Sequence, residues 1–149
     1  QNPAATAETW DDDWLHTGDL GYIADGNLYV CGRLKDLIII RGANYYPQDL
    51  EWSVAELPGV RRDNVVAFSV QRNGEETLII AAEGNSADAA SLRKSIASKI
   101  SETAGVTVGH VAVVRVGSLP KTSSGKVQRR RTKALFETAE LEEHPVVTE

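Results

Sequence analysis

Asn73-Gly74 stands between two β-rich runs, residues 65–70 and 77–82. An Asn-Gly pair readily takes the left-handed backbone of a tight reverse turn, so the two runs are predicted to fold back on each other as a hairpin. A second signal of the same kind, Ala24-Asp25-Gly26-Asn27, lies between Leu20-Gly21-Tyr22-Ile23 and Leu28-Tyr29-Val30-Cys31.

Residues 1–13 are polar, end in Asp11-Asp12-Asp13, and read as a mobile lead-in. After the first hairpin comes a short charged connector, Gly32-Arg33-Leu34-Lys35-Asp36. Leu37-Ile38-Ile39-Ile40 follows as an apolar strand, either buried on both faces or placed at a tight seam, and Arg41-Gly42-Ala43-Asn44 reads as a turn. Pro47 opens a helix, with acids near its start to suit the helix dipole. Leu50, Val54 and Leu57 recur at helical spacing, and Pro58-Gly59 ends the helix. Ser86 is placed to cap a further helix running to about Thr103, with Leu92, Ile96 and Ile100 on one face and Gly105 as its stop. Residues 111–114 form a strand, and a last helix covers roughly 127–139. A hairpin followed by β-α-β-β-α-β-loop-α predicts a small α+β domain, a short sheet with helices packed on it.

The chain of 149 residues suits one domain, or one domain with a strip of another. No apolar run approaches the ~18 residues of a transmembrane helix. The lone Cys31 excludes an internal disulfide and leaves too few thiols for a structural zinc site, so the expected compartment is the reducing cytoplasm. The absence of Met, with the opening Gln1-Asn2-Pro3-Ala4-Ala5-Thr6-Ala7, leads us to expect a piece cut from a longer protein. Net charge is −5, yet residues 121–133 carry six cationic side chains and no acid, while Glu137, Glu140, Glu142, Glu143 and Glu149 follow. That distribution predicts a locally positive site with an acidic tail.

The positive site centres on Pro120-Lys121-Thr122-Ser123-Ser124-Gly125-Lys126-Val127-Gln128-Arg129. Small residues give such a loop freedom and let a ligand approach closely. A long cationic side chain at its tip can reach a phosphate or carboxylate that the rest of the domain does not touch. The loop is not a P-loop: Gly117 lies too far before Gly125, and Val127 replaces the magnesium-binding Ser/Thr. Taken alone, the loop also fits an ordinary solvated turn leading into a helix. Thr17-Gly18-Asp19 places a carboxylate at a strand start, where it can accept hydrogen bonds from vicinal sugar hydroxyls, or simply form a turn. The connector 32–36 fits either a hinge or a plain polar link. The basic run 126–133 lacks interleaved aromatics, which argues against nucleic-acid binding. His16, His110 and His144 show no metal-ligand spacing, and no Ser-His-Asp arrangement is visible.

In order, "WLHTGDLGYIADGNLYVCGRLKDLIIIRGANYYPQDLE" and the later "LPKTSSGKVQRR" resemble the C-terminal end of the adenylate-forming superfamily of acyl-CoA synthetases, nonribosomal-peptide adenylation domains and luciferases. The resemblance spans residues 14–136. The run Asn44-Tyr45-Tyr46-Pro47-Gln48-Asp49 is most similar to fatty acyl-AMP ligases, which activate a fatty acid with ATP, release pyrophosphate and pass the acyl group to an acyl carrier protein. An acyl-CoA synthetase, with CoA as acceptor, shares the other motifs. A freestanding module that docks acidic partners through its basic loop is the alternative of a different class.

The resemblance implies a short, mostly antiparallel sheet with flanking helices, preceded by a β-hairpin. It implies that residues 1–34 are the edge of a large N-terminal domain and that 35–149 form the small mobile domain. Asp19 would bind the ribose hydroxyls of ATP, and Arg33 would contact the nucleotide. Lys35 would be the hinge, Gly42 would lie on the loop facing the acceptor thiol, and Lys126 would bridge the fatty-acid carboxylate and the phosphate. Arg129 and Arg130 would hold the helix or contact the carrier protein. ATP with Mg2+ is the implied cofactor, with no Mg2+ ligand in this chain. The implied partners are the N-terminal domain, the fatty acid, and carrier protein or CoA, and the chain alone is expected to be inactive.

Overall fold

The computed structural model describes residues 9–85, 87 and 89–145. The chain divides into two compact units, one ending at Leu37 and one beginning at Ile38.

In the first unit, β1 (Trp10–Asp11) and β2 (Trp14–Leu15) pair antiparallel, with Asp12 at φ 50° in the turn. The described end of the expected lead-in is therefore a small hairpin. Asp12 and Asp13 form the turn, and a short polar side chain tolerates the left-handed backbone of Asp12. Next come β3 (Asp19–Ala24) and β4 (Asn27–Arg33), antiparallel across Asp25-Gly26, both of positive φ. That is the tight turn Asp-Gly predicts. A 3-10 turn, Leu34–Asp36, follows.

The second unit opens with a hairpin that sequence reasoning misses. β5 (Ile38–Ile40) pairs with β6 (Ala43–Tyr45) across a two-residue turn of Arg41 (φ 50°) and Gly42 (φ 80°). Only Arg41-Gly42 is the turn, while Ala43 and Asn44 are strand. Ile38 is 1% exposed and Ile39 52%, so the run is not buried on both faces. It alternates as a hairpin strand with one face on the core does.

α1 (Pro47–Ala55) follows, then a three-stranded sheet of order β7 (Val60–Arg72), β8 (Glu75–Gly84) and β9 (Val108–Val114). β7 and β8 are antiparallel across Asn73-Gly74. β8 and β9 are parallel, joined by α2 (Ala89–Ala104), because parallel neighbours need a crossover. Ser86, the expected cap of α2, lies outside the described residues. The last helix, α3, spans Arg129–Glu137, shorter than expected because residues 120–128 form a closed loop.

The sheet is apolar on both faces. Val65, Ala67, Ile80, Ala82, Val111 and Val113 share one face with Leu50 and Val54 of α1 and Leu92, Ile96 and Ile100 of α2. Val66, Phe68, Ile79, Ala81, Ala112 and Val114 form the other, against Phe136 of α3 and Val127. The predicted helix faces at 92, 96 and 100 are the buried ones. Strand pleating puts alternate residues on opposite faces, so one sheet carries two cores. The fold is a small α+β one, with three α-helices among the described residues and short, mostly antiparallel sheets. Part of the acidic tail docks on it. Glu143 bridges to Val114, and its carboxylate lies 2.8 Å from His110 Nε2. Among the described residues no helix is long and apolar enough to cross a membrane.

Candidate active-site loop

Between Leu119 and α3 the chain makes a closed loop. The Gln128 N–H donates to Pro120 O at 2.8 Å, the Thr122 N–H to Lys126 O at 2.8 Å, and the Gly125 N–H to Thr122 O at 2.9 Å. Side chains complete it: Lys126 N–H donates to Thr122 Oγ1 at 3.1 Å, and Thr122 Oγ1 and Ser124 Oγ share a hydrogen bond of 2.9 Å. Gln128 Nε2 donates to Lys121 O at 2.7 Å. Gly125, at φ +83° with open space where a Cβ would stand, supplies the left-handed turn. The Thr/Ser-rich composition thus has a second use, since its hydroxyls satisfy the loop's own backbone.

Lys126 stands exposed at this turn. It lines a cleft of about 400 Å³ with Ser124, Glu51 and Trp52 of α1, Asp63 of β7, and Arg129. Trp52 is 72% exposed, and Asp63 sits at φ 59° where β7 slips register against β8 between Val60 and Val65. Lys133 pairs with Glu137, and Arg129 with Glu51. Among the described residues no ion pair engages Lys121, Lys126, Arg130 or Arg131. An uncommitted ammonium beside an open cleft can meet an incoming anion without first breaking a contact of its own.

The structure separates the roles that sequence reasoning left open for Arg129. Its Nη2 lies 2.7 Å from Glu51 Oε1, and its Nε donates to Ala67 O at 3.1 Å. Arg129 holds the helix, whereas Arg130 is exposed. Two further carboxylates escaped sequence reasoning. Glu51 reads as an acid near a helix start, yet it also accepts the Ala67 N–H at 2.9 Å. Glu83 is 0% exposed and accepts from Arg61 Nη1 at 3.0 Å and from the Leu119 N–H at 3.1 Å. Its signal in the sequence was a lone charge closing an apolar strand.

Of the other expected site residues, Asp19 and Arg33 face each other across the β3–β4 ladder, with Arg33 Nε 3.4 Å from Asp19 Oδ1. The Asp19 N–H donates to Thr17 Oγ1 at 3.1 Å, which sets the strand start. Lys35 lies in the 3-10 turn. Gly42 is the exposed tip of the β5–β6 hairpin, and its neighbours Arg41 and Ala43 line a second cleft of about 310 Å³. Among the described residues no group of three or more His, Cys, Asp or Glu side chains is placed to hold a metal ion.

Residues 35–145 match the family model described as Disco-interacting protein 2-like, AMP domain. The chain is 38% identical over 139 residues to the medium-chain-fatty-acid–[acyl-carrier-protein] ligase JamA of Moorena producens, covering 89% of this chain and 24% of that protein. It is 38% identical over 161 residues to the long-chain-fatty-acid–AMP ligase FadD32 of Mycolicibacterium smegmatis, covering 91% of this chain and 26% of the relative. A solved structure of McyG A-PCP complexed with phenylalanyl-adenylate superposes with a TM-score of 0.84 at 34% identity, over 93% of this chain and 26% of that one. The chain thus spans about a quarter of the length of the relatives it matches. Sequence motifs, fold and relatives converge: the chain belongs to the Disco-interacting protein 2-like AMP-domain family of adenylate-forming enzymes, and its relatives there include fatty acyl-AMP ligases.

Proposed function

We propose that this chain is the lysine-bearing C-terminal part of an ATP-dependent fatty acyl-AMP ligase. In the whole enzyme a fatty-acid carboxylate oxygen attacks the α-phosphorus of ATP. A new oxygen–phosphorus bond forms, and the bond to pyrophosphate breaks, its electron pair leaving with pyrophosphate. The acyl group then passes from the mixed anhydride to the thiol of an acyl carrier protein, and AMP is released.

The observation that carries this reading is Lys126, exposed on a loop closed by its own hydrogen bonds and, among the described residues, in no ion pair. Two anions must meet in the first step, so the principal requirement is aligned positive charge. Exposed Arg130 and Arg131 raise the local potential and favour anion approach. In the same reading Asp19 accepts the ribose hydroxyls, Arg33 contacts the nucleotide, and Gly42 lies on the loop facing the acceptor thiol. Residues 1–34 belong to the edge of a large N-terminal domain, and residues 35–149 form a small mobile domain that turns about Lys35. Mg2+ accompanies ATP. A reducing cytoplasm suits the single thiol, Cys31.

The test uses the full-length enzyme. Lys126→Ala should lower fatty-acid-dependent ATP–pyrophosphate exchange by about 10²–10³, the usual cost of losing one aligned charge-stabilising donor. Acyl transfer from supplied acyl-adenylate should persist. Equal loss in both half-reactions would refute this role for Lys126. Offering CoA and loaded carrier protein side by side identifies the acceptor; acylation of CoA alone would move the protein to the acyl-CoA synthetases. The purified chain by itself should release no pyrophosphate from ATP and fatty acid.

A further inference from the structure

We infer that Glu83 and Glu51 clamp the Lys126 segment at its two ends and so aim the lysine for adenylation. This inference rests on the functional reading above. Both carboxylates act through other groups and are positioning residues.

Glu83 is the upstream anchor. Its neighbours along β8, Ile79 to Ala82, are all apolar and fully buried, and Glu83 is equally buried. A carboxylate in such a place is costly unless paired and hydrogen-bonded, and an apolar side chain would fill the site more cheaply. What Glu83 adds is reach. One oxygen holds Arg61, in the irregular stretch of β7 beside the cleft, and the other takes the Leu119 N–H just before the lysine loop. Leu119 itself is 3% exposed in the core.

Glu51 and Arg129 make the downstream anchor. β7 is an edge strand, and the N–H and C=O of Ala67 on that edge would otherwise go without a ladder partner. Glu51 Oε1 takes that N–H at 2.9 Å, and Arg129 Nε gives to that C=O at 3.1 Å, while the two side chains pair at 2.7 Å. The start of α3 is thereby tied to α1 and β7 at one residue. Between the anchors the loop is closed by its own hydrogen bonds, so both ends of the Lys126 segment are referred to the sheet. Glu51 and Arg129 also wall the cleft that Lys126 lines. An ammonium that must sit between two anions needs such a reference, because a misplacement of ~1 Å can cost ~10²-fold in rate.

The full-length enzyme provides the test, with Glu83→Ala, Glu83→Gln and Arg129→Lys assayed in each half-reaction. Lysine keeps the charge opposite Glu51 but lacks the fork that also reaches Ala67. Glu83→Ala and Arg129→Lys should each lower ATP–pyrophosphate exchange about 10- to 100-fold, with transfer from supplied acyl-adenylate at the wild-type rate. Glu83→Gln, whose carbonyl oxygen can still accept the Leu119 N–H, should restore exchange. Loss of both half-reactions together, or exchange untouched by Arg129→Lys, overturns the clamp. If Glu83→Ala does not fold, Arg129→Lys decides alone. Lys126→Ala, assayed alongside, keeps the two ideas apart. No split between half-reactions for Lys126→Ala overturns the adenylation reading. A split for Lys126→Ala without one for Arg129→Lys overturns the clamp only.

Discussion

Arg33 stands opposite Asp19 in the β3–β4 ladder, its Nε 3.4 Å from the aspartate Oδ1, and both side chains remain open to solvent at 68% and 40% exposure. An ion pair so exposed contributes little to folding, at most about 1 kcal/mol. Arg33→Ala should therefore leave the unfolding midpoint of the chain essentially unchanged. A charge-assisted hydrogen bond to a ligand is worth about 1.5–3 kcal/mol, so the KM for ATP of the full-length enzyme should rise about tenfold or more. Denaturant unfolding and ATP titration read the two effects separately, and an unchanged KM would remove Arg33 from the nucleotide site.

Gly84 closes β8 where there is no room for a side chain. A Cβ there would lie 2.7 Å from Leu92 Cδ2 and 3.3 Å from both Gly59 O and Val113 Cγ1. Leu92 is packed in the core and has little freedom to yield. Gly84→Ala should cost about 1–3 kcal/mol through overpacking. In urea the midpoint should fall with the slope unchanged, since the surface exposed on unfolding is the same.

Phe68 fastens α3 to the sheet. It is 3% exposed, and its ring meets Phe136 edge-on with centroids 5.7 Å apart. Phe68→Ala should destabilise the chain by about 3–5 kcal/mol. Because a destabilisation of this size lowers the folded fraction, the same substitution in the full-length enzyme should depress both half-reactions together, unlike Lys126→Ala. Thermal unfolding combined with the two assays checks both statements.

Lys35 occupies the middle of the 3-10 turn Leu34–Asp36. Proline at this position would fix φ near −65° and remove the backbone rotation a hinge requires. Lys35→Pro in the full-length enzyme should hold one state and depress one half-reaction far more than the other. Wild-type rates in both would end the hinge assignment.

Much of this structure was legible because its signals are local. Asp25-Gly26 and Asn73-Gly74 specify tight turns within four residues, and Leu92, Ile96 and Ile100 mark a buried helix face by spacing alone. The β5–β6 hairpin was missed because its turn is Arg41-Gly42, with the left-handed conformation at a residue not known for it. The lysine loop was visible through its composition, but its closure by the Thr122 and Ser124 hydroxyls needed coordinates. Glu83 and Glu51 were readable only as charges, because their partners lie on other elements.

By itself the sequence determined the Asp25-Gly26 and Asn73-Gly74 turns, the buried face of α2, the β-rich runs that become β7 and β8, and the position of Lys126 on a basic, glycine-turned segment. Each of these depends on neighbours a few residues apart, where backbone preference and periodicity act directly. Only the tertiary structure decided that β9 joins β8 in parallel, that α3 covers the face opposite α1 and α2, and that carboxylates from α1 and β8 hold the two ends of the lysine segment. Those outcomes depend on which surfaces meet when distant elements pack. The contacts join residues such as Glu51 and Arg129, or Glu83 and Leu119, whose separation along the chain carries no local conformational signal.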